Sequence, residues 1–207
     1  MLKLWGRDNS VNVQKAIWAL EELKLPYERI DAGMQFGVVN EPHYRKMNPN
    51  GLVPVIDDGG AIIWESNAIV RYLGAKYGKG TLWPEDPAAR AQSDKWMDWC
   101  ATVYWPPMRE VFWGLIRTPP EKRNLELIET SRKKAADILK ILDAALAATD
   151  YIAGKNLTIG DIPLGTISWR WFGIAGLERP PFPNVEAWFQ RLSQREAFKK
   201  SVLLPLN

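Results

Sequence analysis

Val53-Pro54-Val55-Ile56-Asp57-Asp58-Gly59-Gly60-Ala61-Ile62-Ile63-Trp64, followed at once by Glu65-Ser66, is the stretch on which the fold turns. Two β-rich runs flank Asp57-Asp58-Gly59-Gly60, and Gly and Asp tolerate the dihedrals of a tight turn, so a hairpin is predicted here. Pro54 has no N–H to give to a central ladder, which assigns it to an edge or a special position. Ser66 is then placed to cap a helix running to about Tyr77, with Ile69, Val70 and Leu73 on its buried side.

Upstream, Leu2 and Leu4 alternate with Lys3 in a strand-like pattern closed by Gly6. Val13, Ala16, Ile17, Leu20 and Leu23 then recur at three and four residues, one face of a helix that Pro26 ends. Tyr27 to Asp31 reads as a second strand ahead of an irregular segment, so this half is β-α-β, a loop, then β-β-α. Downstream, Gly78-Lys79-Gly80 and Trp83-Pro84-Glu85-Asp86-Pro87 mark a linker. Beyond it the pattern is helical: one long segment over 87–117 bent at Pro106-Pro107, another over 121–148, and a short helix capped by Asn184. Thr158 and Asp161 are spaced as a capping box, with Leu157 and Ile162 as its hydrophobic staple. The expected organisation is a small α/β domain over 1–79 and an all-α helical domain over 80–207.

Composition narrows the function classes. The 207 residues carry 27 Lys and Arg against 24 Asp and Glu, with signs interleaved, which argues against nucleic-acid binding. A hydrophobic fraction of 46% supplies a sizeable core. A single cysteine, Cys100, excludes an internal disulfide, and with one histidine it cannot build a zinc site of nitrogen and sulfur ligands, so no metal is expected. The first eight residues lack a signal peptide's apolar stretch, and no run of about 18 apolar residues could span a bilayer. The expectation is a soluble, cytoplasmic protein with no membrane association.

Three segments in order, Gly6-Arg7-Asp8-Asn9-Ser10-Val11-Asn12-Val13, Asn48-Pro49-Asn50-Gly51-Leu52-Val53-Pro54-Val55 and Glu65-Ser66-Asn67-Ala68-Ile69-Val70-Arg71-Tyr72-Leu73, resemble the cytosolic glutathione transferases. The Thr158–Asp161 segment resembles that family's helix start in its second domain, and the likeness is to the bacterial, serine-using (theta-like) kind. The resemblance implies a thioredoxin-like first domain, a helical second domain and a homodimer. It implies glutathione as co-substrate, no permanently bound cofactor, and a detoxifying conjugation to a small electrophile, apolar or halogenated. A glutathione-dependent dehalogenase, isomerase or peroxidase, or a non-catalytic binding protein, uses the same scaffold.

Residue by residue, Glu65 would pair with the γ-glutamyl ammonium of glutathione, and Ser66, at a helix start rich in free N–H groups, with its carboxylate. Ser66 acting only as a cap and Glu65 lying idle on the surface is the plainer alternative. The resemblance implies a cis Val53-Pro54 peptide whose Val53 backbone pairs with the cysteinyl part of glutathione; Asn40 completes this binding set. Leu52 stands where the family often has Lys or Gln, so that polar contact is missing. Ser10 falls at the family's catalytic serine, between first strand and first helix, where capping is its alternative duty. Asn12 ranks second as donor to the sulfur, with Asn9 and Arg7 nearby. For the electrophile, Tyr104, Met108, Phe112, Trp113, Arg117 and Trp169 are candidates, although aromatic stripes at helical spacing more often form core; Trp105 and Arg109 adjoin them, and Arg109 and Arg117 suit an anionic substrate. His43 lacks a G-x-S-x-G serine partner. Cys100, among Trp96, Met97 and Trp99, is expected to be a buried, inert thiol.

Overall fold

A computed structural model describes all residues, 1–207. The strands are β1 (Leu2–Trp5), β2 (Tyr27–Ile30), β3 (Val55–Asp58) and β4 (Ala61–Trp64), in the sheet order β2-β1-β3-β4. β1 and β2 run parallel, whereas β3 is antiparallel to both β1 and β4. The parallel pair needs a crossover, supplied by α1 (Val11–Glu22). The antiparallel pair needs only Gly59 and Gly60, with φ of +64° and +98°, and Gly60 N–H donates to Asp57 Oδ1 at 2.7 Å. The first half is therefore a mixed four-stranded sheet with helices, thioredoxin-like, as the family resemblance implies.

Three local expectations change. The loop before β3 contains a 3₁₀ turn, Met34–Phe36, and a short helix, α2 (Pro42–Met47). β3 begins at Val55 rather than Val53, because the Val53–Pro54 peptide is cis and stands outside the ladder. Ser66 is the first residue of α3 (Ser66–Tyr77), not its cap; Glu65 takes the cap position at φ +69°.

The second half is helical: α4 (Pro87–Trp99), α5 (Trp105–Phe112), α6 (Leu125–Leu146), α7 (Asp161–Gly173), α8 (Pro183–Ser193) and α9 (Glu196–Ser201). From Pro87 to Arg117 the chain stays helical through two π turns, Cys100–Tyr104 and Trp113–Arg117. Pro106 and Pro107 cannot donate to carbonyls four residues back, and Trp105 N–H instead reaches Cys100 O, five residues back. The helical run absorbs the prolines by widening. Asn184 does not cap α8; Asp143 of α6 does so from a distance, accepting from Asn184 N and Val185 N at 2.9 and 3.0 Å.

The Thr158–Asp161 box is half reciprocal. Asp161, fully buried and first in α7, accepts from Thr158 N–H at 3.0 Å, but Thr158 Oγ1 turns to the same carboxylate at 3.2 Å instead of capping. Its other oxygen accepts from Ile152 N–H at 3.0 Å and Trp188 Nε1 at 2.9 Å.

One core of buried apolar side chains runs through both halves. α1 joins them: it packs on α3 on one side and on α7 and α9 on the other. Residues 13 to 20 of α1 are consequently all buried, not one stripe of them. Arg195–Glu22, Lys200–Glu21 and the Arg71 pairs with Asp94 and Asp98 lace the halves together. No helix is long and apolar enough to cross a membrane.

Candidate functional site

The carboxyl end of β1 and the amino end of the antiparallel β3 open onto a cleft of about 360 Å³ between the halves. Arg7, Asn9, Ser10 and Asn12 line it from the β1–α1 connection, and Leu52 and Val53 from the cis-proline loop. Trp105, Arg109, Phe112, Trp113 and Arg117 close it from α5 and the following π turn. The structure thus brings together Ser10, Asn12, Val53, Phe112, Trp113 and Arg117 of the expected site residues.

Ser10 occupies the N-cap position of α1 in extended geometry, with its carbonyl accepting from Gln14 N–H at 2.9 Å. Its hydroxyl makes no capping bond, so capping does not use it. Asn12 is held from beneath: its Oδ1 accepts from Lys15 Nζ at 3.0 Å and from Ser66 Oγ at 3.3 Å. Two donors on one atom fix it as the oxygen, leaving the amide N–H groups unengaged. Lys15 is buried, and its ammonium also reaches Ser66 Oγ at 3.5 Å. Burial lowers its pKa, while Glu65 pulls the other way. No sequence signal announced this lysine, since a charged residue inside an amphipathic helix reads as solvated.

At the head of α3, Ser66 is buried and Glu65 exposed. The first N–H groups of α3 have no intrahelical acceptor and carry the positive end of the helix dipole. Glu65 keeps a positive φ despite its side chain, a conformation costing about 1–3 kcal/mol, of the sort that collects at ligand sites. The cis-proline loop is pinned from behind: Leu52 O accepts from Tyr44 Oη and from Asn48 Nδ2, both at 2.8 Å. Val53, the next residue, lines the cleft. Tyr44 and Asn48 were not singled out as site residues; the Asn48-Pro49-Asn50-Gly51 turn was the available signal.

Other expected residues fall elsewhere. Asn40 is exposed and outside the cleft lining, its Oδ1 accepting from Arg45 Nη2 at 2.7 Å. Tyr104 and Met108 are wholly buried in the helical core, because the cleft sees only the α5 face carrying Trp105, Arg109 and Phe112. Trp169 also lies outside: its Nε1 donates to Leu204 O at 3.0 Å and its ring stacks on Phe189. His43 is exposed beside Glu41. Burial pushes the Cys100 thiol up to about 12, consistent with an inert residue. No group of three or more His, Cys, Asp or Glu is placed to hold a metal ion.

A thioredoxin-like sheet with a cis-proline loop faces a helical domain across a cleft lined by the start of α1, while the expected Pro54, Glu65 and Ser66 stand outside that lining. Comparison with known proteins supplies the family. Residues 1–75 match the glutathione S-transferase N-terminal domain and residues 104–196 the glutathione S-transferase C-terminal domain. The chain is 44% identical over 209 aligned residues to glutathione S-transferase GstB of Escherichia coli K12, covering 100% of both. It is 30% identical to glutathione S-transferase 1 of Manduca sexta, covering 97% of this chain and 91% of the other. The theta class glutathione S-transferase of Xanthomonas axonopodis pv. citri, crystallised with glutathione bound, superposes with a TM-score of 0.96 at 43% identity, covering 100% of this chain and 99% of the other. The chain belongs to the glutathione S-transferase family and is an enzyme of that family.

Proposed function

We propose that the cleft binds glutathione, ionises its thiol and conjugates the sulfur to a small electrophile, apolar or halogenated. In this reading Glu65 and Ser66 take the γ-glutamyl end and the Val53 backbone pairs with the cysteinyl part. Ser10, followed by Asn12, donates to the sulfur. The relative from Xanthomonas, crystallised with glutathione, supports the ligand. The observation that carries the chemistry is the Ser10 hydroxyl without a cap to serve, beside an Asn12 amide whose oxygen is already taken.

The energetics suit that arrangement. A thiol of pKa about 8.5 is only about 3% thiolate at neutral pH. Lowering that pKa by about 2 units requires roughly 2.7 kcal/mol of preferential thiolate stabilisation. A hydrogen bond to a charged group contributes about 1.5–3 kcal/mol, and the start of α1 adds a dipole. Phe112, Trp105 and Trp113 then offer the second substrate an apolar wall, and holding both reactants together lowers the barrier further.

The reading includes a homodimer, supported by Ile62 and Trp64 exposed on edge strand β4, and a cytoplasmic setting. It calls for no resident cofactor. The test is to titrate glutathione into the protein at pH 6.5 and follow thiolate absorbance in the ultraviolet. Free glutathione is about 1% ionised there, so a saturable signal is expected only from thiolate held by the protein. Calorimetric binding without that signal would remove Ser10 and Asn12 as activators; no binding at all would remove the glutathione site.

A further inference from the structure

We propose that the electrophile taken by this cleft carries a carboxylate or similar oxyanion, and that Arg117, with Arg109 and Arg7 beside it, is the group that selects it. The inference rests on the glutathione reading above and names the class of its second substrate.

The cleft lining contains three arginines and no acidic residue. Arg7 and Arg117 form no ion pair and no side-chain hydrogen bond, and Arg7 Nε is buried without a partner. Arg109 has only its exposed neighbour Glu110, at 3.1 Å. Behind them Arg170 is fully buried, with one bond to Thr166 O of its own helix and a partnerless Nε. Arg117 and Arg170 stand 5.7 and 5.6 Å from the centre of the same Phe112 ring. Burial depresses the pKa of both Arg7 and Arg170, and the positive charge of Arg117 lowers each further. Like charges gathered beside one another, partly buried at Arg7 and Arg117 and wholly at Arg170, raise the energy of the empty site, and an anion relieves it.

Glutathione leaves these charges largely unanswered. Its γ-glutamyl carboxylate belongs at the head of α3, beside Ser66 and Lys15, and its cysteinyl part on Val53, so its second carboxylate, on the glycyl end, runs past Leu52 along the cis-proline side of the cleft, across from Arg117. Arg117 enters from the helical side, on the ring that would bound the second substrate. An aromatic or short aliphatic body against Phe112 and Trp113, with a carboxylate reaching Arg117, fits both surfaces. The reaction is a substitution: the sulfur forms a bond to the carbon bearing a halide, that carbon–halogen bond breaks, and the halide leaves with its electron pair. The thiol proton is released to solvent.

The experiment compares 4-chloro-3-nitrobenzoate with its neutral amide, 4-chloro-3-nitrobenzamide, each kcat/KM divided by the uncatalysed rate constant for the same pair. The protein is expected to favour the carboxylate, and Arg117→Ala to lower the carboxylate-to-amide ratio by about 10- to 100-fold, the span of one charge-assisted hydrogen bond. Arg117→Lys, which keeps the charge but not the fork, is expected to fall between. The thiolate absorbance formed with glutathione reports that each variant is folded and loaded. No carboxylate preference in the parent, equal losses for both substrates, or a rise in glutathione KM as the only effect of Arg117→Ala would each overturn the proposal. Absence of thiolate in the parent protein would instead overturn the glutathione reading beneath it.

Discussion

Asp161→Ala is expected to cost about 4 kcal/mol or more, a large share of the stability of a domain. The carboxylate is wholly buried and accepts from four donors: Thr158 N–H, Thr158 Oγ1, Ile152 N–H and Trp188 Nε1. Alanine removes every acceptor at once, and a buried donor left without a partner costs about 1–3 kcal/mol. Relaxation and entering water recover part of the sum, but single domains hold only about 5–15 kcal/mol in total. Urea unfolding is the measurement, read as a midpoint shift at constant slope. Asp161→Asn is expected to fall between, since its one carbonyl oxygen still accepts while its NH₂ faces donors. A loss below 1 kcal/mol for the alanine variant would mean that the 152–161 segment is held by packing alone. The site would feel a larger loss, because α7 packs directly on α1, and α1 begins beside Ser10.

The sequence made this segment visible without disclosing its full bonding. Spacing pointed to Thr158 and Asp161, but Ile152 and Trp188 reach the carboxylate from 9 residues before and 27 after, beyond any local pattern. The same limit explains Asp143 capping α8 from 41 residues away. The hairpin around Gly59-Gly60 and the buried side of α3 were legible because turn dihedrals and helical period are local properties. α1 was half legible: its period showed one apolar stripe, whereas Lys15 and Trp18 are buried by helices whose position no local pattern carries. On α5 the structure divides the candidate residues between cleft and core. A π turn before Pro106 rotates the helix, so Trp105 and Arg109 meet the cleft while Tyr104 and Met108 enter the core. At Glu65, the positive φ is imposed by the fold, since glutamate itself disfavours it.

Ser10→Ala is expected to lower turnover by about 10- to 100-fold while changing glutathione affinity by no more than a few-fold, because a donor to the sulfur acts on ionisation more than on binding. The pKa of the bound thiol is expected to rise by about 1–2 units, the same energy read on a proton scale. The sign follows from the charge: losing a donor destabilises the thiolate, so the thiol stays protonated to higher pH and activity recovers as pH is raised. Asn12→Ala separates the two candidates. If the amide carries the sulfur, its loss moves the thiol pKa and Ser10→Ala leaves that value in place, which would reassign the role. Lys15→Met resolves how the amide is held. Without the ammonium at 3.0 Å, Asn12 Oδ1 keeps only Ser66 Oγ and the amide is free to turn. Removing a buried charge that has no hydrogen-bonded carboxylate partner should leave stability intact or raised. A folded Lys15→Met protein with a raised thiol pKa would therefore assign positioning to Lys15. An unchanged pKa alongside a raised glutathione KM would assign it to the γ-glutamyl carboxylate alone.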